Sequence, residues 1–137
     1  MPSTSISVTW SQGHSRSVSD RFNPNDLGYL DRNNITYYAL DDYYNIYKPF
    51  GRILSAYNHI GADLTRVFNP GAFQQAEIFG SHNATFRNYL TLGLYWTLQP
   101  FTGHDYNEPR TFGRYYSYPR NYMFGGFYSS DYRRKFA

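Results

Sequence analysis

Between Phe101 and Asn121 the chain reads FTGHDYNEPRTFGRYYSYPRN. Tyr106, Tyr115, Tyr116 and Tyr118 are rings that can stack on sugars. Arg110, Arg114 and Arg120 are guanidinium forks suited to carboxylates or phosphates, those of lipopolysaccharide included. Loops longer than about 12–15 residues are usually functional or without fixed structure. The plainer reading is a structural loop folded onto its own domain, with Arg110 and Arg114 paired to Glu108 and Asp105.

Other reactive types are sparse. Glu77 and Glu108 are the only glutamates. Glycoside hydrolysis needs two carboxylates flanking one bond, and Asp41, Asp42, Asp63, Asp105 and Asp131 could each supply the second. No spacing singles out a pair. His14, His59, His82 and His104 lack the spacing of metal ligands on a strand or helix. His59 and His82 fall on neighbouring predicted strands, which leaves a cross-strand pair open. There is no cysteine, hence no disulfide framework or thiolate site. No nucleophile elbow or phosphate loop occurs, and no cofactor is expected. The sequons Asn34-Ile35-Thr36 and Asn83-Ala84-Thr85 read as chance. Thirteen basic against ten acidic residues give +3, too mild for a nucleic-acid partner.

The elements that would carry these residues alternate with period two, which marks strands. In NYLTLGLYWTLQP, Leu90, Leu92, Leu94, Trp96 and Leu98 share one face, while Thr91, Gly93, Tyr95 and Thr97 share the other. Strands are expected over 5–12, 35–47, 52–68, 72–86, 89–98 and from 122 onward. Turns are expected at 48–51, 69–71 and 87–88, and long loops over about 13–34 and 101–121. Leu54 and Leu64 fall on the apolar side of the 52–68 strand. No helix is predicted.

The solvent met by the leucine face is the central question. Aromatics form 21% of the 137 residues, and mean hydropathy is −0.66. No run approaches the roughly 18 apolar residues of a membrane helix. A membrane β-barrel is compatible, because its strands average out as polar. The segments 52–68 and 72–86 exceed the usual soluble strand of about 5–6 residues. Aromatics gather near strand ends at Tyr47, Phe50, Phe68, Phe73, Phe86, Tyr89 and Phe101, as in the girdles of a barrel.

Three stretches carry a family resemblance: FNPNDLGYLDRNN (22–34), NATFRNYLTLGLYWTLQP (83–100), and DYNEPRTFGRYYSYPRN (105–121) with SSDYRRK (129–135). Together they resemble the C-terminal part of a Bacteroidota outer-membrane family whose barrel region is classed as a domain of unknown function. Its members carry an N-terminal carbohydrate-binding-like domain, and some are named membrane-associated hydrolases. The resemblance implies an outer-membrane seat, with Leu54, Leu64, Leu90, Leu92, Leu94, Trp96 and Leu98 facing lipid. It also implies the rest of a parent barrel as partner, with a glycan or lipopolysaccharide at the loops. MPSTSISVTW does not read as an export signal, so the chain is expected to be a segment of something longer.

The reading is an all-β, antiparallel meander of about six long strands, spanning 1–137 as a partial outer-membrane-type barrel not closed by itself. Its role would be structural or transport-related and tied to glycan use. The alternative is a soluble, aromatic-rich β-sandwich that binds glycans. No catalytic constellation is present, so the hydrolase name is not carried over to these residues.

Overall fold

Period-two alternation builds the expected meander. The computed structural model describes residues 7–21, 33–107, 109, 111 and 113–131. The strands are β1 (Ser7–Val18), β2 (Ile35–Ile46), β3 (Ile53–Val67), β4 (Phe73–Phe86), β5 (Thr91–Gln99), β6 (Gly103–Asp105), β7 (Tyr116–Tyr118) and β8 (Asn121–Ser129). Six of them form one antiparallel sheet in the order β1-β2-β3-β4-β5-β8, which does not close on itself. A ribbon of β6 and β7 stands apart. At 15 residues, β3 spans about 50 Å.

Two elements differ from expectation. β1 continues through GHSRSV to Val18, because those residues pair with Leu40 back to Ile35 although they show no apolar alternation. The FNPNDLG segment and the residues from Tyr132 onward lie outside the described residues. The 101–121 connection is not all loop, since Gly103–Asp105 pairs with Tyr116–Tyr118 inside it.

Register assigns every side chain to a face, because partners directly opposite point the same way. One face carries Leu92, Leu94, Trp96 and Leu98 of β5, opposite Ala84, His82, Gly80 and Ile78 of β4. Tyr128, Gly126, Phe124 and Tyr122 continue it onto β8. Ala62 and Ile60, Leu64 beside Ala76, and then Leu40 and Tyr38 extend it across β3 and β2. This is the leucine face. Leu54 falls in the irregularity between Ile53 and Ser55, where the β3–β4 register shifts. Leu90 precedes β5, in the turn where its carbonyl accepts the Phe86 N–H at 2.8 Å.

Nothing among the described residues covers the leucine face. Leu40 is 65% exposed, Leu94 50%, Phe124 69% and Tyr128 79%. No described side chain is fully buried, and the apolar core proper is Val18, Ala39, Ala56 and Val67. The accessible surface is 10374 Å², against roughly 7,400 Å² for a compact monomer of this mass. A sandwich needs a second sheet over those leucines. The only other sheet among the described residues is the short ribbon, which meets β4 near Gln74 rather than the leucine face.

Connections at the two ends differ. The Phe50–Ile53 turn closes with two reciprocal 2.9 Å backbone bonds, and Arg87 N–H donates to the Arg52 carbonyl at 3.0 Å, tying it to the β4–β5 turn. The opposite end carries the longer 19–34 and 100–120 connections. There Asn34, at φ 55°, acts as a clamp between two connections. Its side-chain amide donates to the Asn69 carbonyl at 3.0 Å and accepts the Asn69 N–H at 2.8 Å. Its own carbonyl accepts the Phe68 N–H at 3.1 Å. Asn is among the few side-chain-bearing residues that tolerate this backbone conformation. Asn34→Ala should therefore cost about 2 kcal/mol, through two lost hydrogen bonds and a strained φ. A lowered thermal midpoint is the readout, and an unchanged one would contradict the clamp.

Candidate functional site

The face opposite the leucines carries polar and aromatic groups in rows across the strands. Trp10, Tyr43, His59 and Phe79 form a ladder over β1 to β4. The Trp10 and Tyr43 rings stack at 4.1 Å, Tyr43 and His59 at 4.3 Å, and Phe79 meets His59 edge-on at 5.5 Å. His59 Nε2 lies 2.7 Å from Asp41 Oδ1. The stacked rings give their faces to one another, so the ladder braces the sheet instead of offering a platform to a ligand. Phe79 lies over Gly61, its partner on β3, where an added Cβ would sit 2.3 Å from the ring. A bulky ring shielding a glycine on the next strand is a recognised sheet-stabilising device.

The same face holds a carboxylate pair that no sequence spacing reveals. Register sets Asp63 directly opposite Glu77. Like charges so placed repel; Gln99 Nε2 donates to Glu77 Oε2 at 2.6 Å, and the Tyr37 hydroxyl lies near Asp63. His59 lies opposite Ser81, whereas His82 lies opposite Asn58 on the leucine face. The two histidines thus point to opposite sides of the sheet, and the cross-strand pair left open by the sequence does not form. Among the described residues no group of three or more His, Asp or Glu could hold a metal ion.

His82 belongs to a polar chain within the leucine face. Trp96 Nε1 donates to His82 Nε2 at 3.2 Å, and His82 Nδ1 lies 3.2 Å from Asn58 Oδ1. Asn58 Nδ2 donates to the Tyr44 carbonyl at 2.9 Å. The Ser11 hydroxyl donates to the Asp42 carboxylate nearby. Trp96, His82 and Asn58 are thus linked in one chain, and Ser11 is bonded to Asp42. Trp96 shares the face of Leu92 and Leu94 with its indole nitrogen already engaged.

The 101–121 connection brings together some of its sequence-predicted residues. Tyr106 and Tyr115 gather around His104, with Tyr115 4.4 Å from His104 and 5.3 Å from Tyr106. Asp105 is buried; its Oδ1 accepts the Asn107 N–H at 2.8 Å, which shapes an Asx turn, and its Oδ2 accepts the Tyr118 hydroxyl at 3.4 Å. Arg114 donates its N–H to the Thr111 carbonyl at 3.2 Å. With Tyr106 it lines a cavity of about 360 Å³ against Asn34, Val67 and Pro70. Tyr116 and Arg120 are exposed. Arg110 and Glu108 lie outside the described residues. Sequence reasoning missed Gln74, Gln75 and Gln99, which converge on this loop; glutamines scattered over two strands carry no local signal.

Residues 3–137 match the family described as Domain of unknown function (DUF5916). The chain belongs to this family. The DUF5916 match embraces all eight strands, so the ladder, the carboxylate pair and the loop cluster lie within the domain and not in an appended segment. No curated protein and no solved structure matches this DUF5916 chain.

Proposed function

We propose that this DUF5916 chain is a segment of a bacterial outer-membrane β-barrel of the Bacteroidota type, with a structural or transport role linked to glycan use. The observation that carries the reading is the uncovered leucine face. Leu40, Leu94 and Phe124 stand half or more exposed on strands of 9 to 12 residues, and a tilted strand needs about 9–11 to cross the hydrocarbon. In water such a face is a liability; against lipid tails it is the stable arrangement. The opposite face, with Asp41, His59, Asp63 and Glu77, has the polarity of a barrel lumen.

Two features support this orientation. Within the leucine face the Trp96, His82 and Asn58 side chains bond one another, as hydrocarbon requires of buried polar groups. Short turns at 47–52 and 87–90 occupy one end, and the long 19–34 and 100–120 connections occupy the other together with the short 68–72 turn, an asymmetry that resembles periplasmic turns and external loops. β1 and β8 are edges of the sheet, and exposed edges invite pairing. In a barrel they pair with further strands of the parent protein. The test is to express the protein from its complete coding sequence with an export signal and run the membrane fraction unheated and boiled. A barrel migrates differently in the two lanes. Equal migration, or recovery in the soluble fraction, contradicts the proposal.

A further inference from the structure

Where β4 and β5 meet the β6–β7 ribbon there is a cleft of about 260 Å³. Gln74, Gln75 and Gln99 bring three side-chain amides to it from the strand ends, and Asp105 brings a buried carboxylate from β6. Phe101 and Tyr118 flank it with rings that are half or more exposed. Three facts restrict its ligand. Its volume lies below the roughly 300–1,000 Å³ of sites that enclose drug-sized molecules, so it takes one small ring. Each amide offers two N–H donors and a carbonyl acceptor at close quarters, and Gln99 spends one donor on Glu77; this density of alternating donors and acceptors suits vicinal hydroxyls. Among the described residues no Lys or Arg lines the cleft to pair with an anion, and His104 lines it beside Asp105, so its chemistry favours a neutral ligand.

We propose that this cleft binds one ring of a neutral saccharide, with its hydroxyls on the Gln75 and Gln99 amides and its apolar face against Phe101. Asp105 is a positioning residue, holding Tyr118 through the hydroxyl and the loop through the Asn107 N–H. The cleft stands on its own geometry. Only its placement at the mouth of a barrel rests on the proposed function, since it lies at the end of the sheet that carries the long connections.

The test is calorimetric titration of the complete protein in detergent with maltotetraose, cellotetraose and mannotetraose, and with tetragalacturonate as the acidic counterpart. At least one neutral tetrasaccharide should bind and the acid should not. Gln75→Ala and Phe101→Ala both alter exposed or half-exposed side chains, and each should weaken that binding tenfold or more while the far-ultraviolet dichroism stays that of the parent. The proposal is overturned if no neutral tetrasaccharide binds, if the acid binds more tightly, or if both variants bind as the parent does. Binding without heat-modifiable migration would uphold the cleft and refute the barrel, and the shift without binding would do the reverse.

Discussion

Leu94→Arg should abolish membrane assembly while an arginine on the opposite face of the same strand should not. Leu94 lies near the middle of β5 and is 50% exposed on the leucine face. A guanidinium at mid-bilayer costs about 2–4 kcal/mol in a membrane barrel, a large part of the 5–15 kcal/mol that typically holds a domain together. The neighbours of Leu94 across the sheet are His82 and Gly126, and neither supplies a carboxylate to the new charge. Thr97 faces the other way, opposite Phe79 and Met123, so Thr97→Arg should assemble and keep its heat-modifiable migration. If Leu94→Arg assembles as fully as Thr97→Arg, the leucine face does not meet lipid.

The second large effect is expected at Gly61. An added Cβ there would lie 2.3 Å from the Phe79 ring and 3.0 Å from Asp41 Oδ1. Valine must therefore push Phe79 off the glycine and crowd the carboxylate that meets His59 at 2.7 Å. Overpacking of this kind costs about 1–3 kcal/mol, and disturbance of the Asp41–His59 pair places Gly61→Val at the upper end. The double variant with Phe79→Ala makes room for the valine, so its loss of stability should be smaller than the sum of the two single losses. Strict additivity, or a Gly61→Val protein as stable as the parent, would show that the ring does not rest on the glycine.

Such contacts explain where the sequence was legible and where it was not. β2, β3 and β5 could be read because each carries a mostly regular apolar-polar alternation, broken only at Asp42 in β2 and at Asn58 and Arg66 in β3, and the structure moves their predicted ends by one or two residues. The second half of β1 could not, because GHSRSV takes its strand character from pairing with β2 and not from its own pattern. The β6–β7 ribbon hid inside a stretch of Gly, Pro and Arg whose local chemistry is that of a loop. The facing of His59 and His82 depended on register, and so did the meeting of Asp63 with Glu77. Register between long strands depends on turn geometry and on which face is buried, and it shifts at Thr65–Arg66, which no single strand announces. Asn34 drew notice only as a sequon, whereas its amide is committed to Asn69 across the chain.

The chain contains no cysteine, so single cysteines placed along β5 are the only thiols within these 137 residues. The most direct measurement is their reaction with a membrane-impermeant thiol reagent in the membrane-embedded protein. Cysteines at Thr91, Tyr95 and Thr97 should react through the aqueous lumen, and those at Leu92, Leu94 and Leu98 should stay unmodified in lipid. The two groups alternate along one strand, so each position is the control for its neighbours. Uniform reaction at all six positions would mean that water bathes both faces of the sheet, and the barrel account would be wrong.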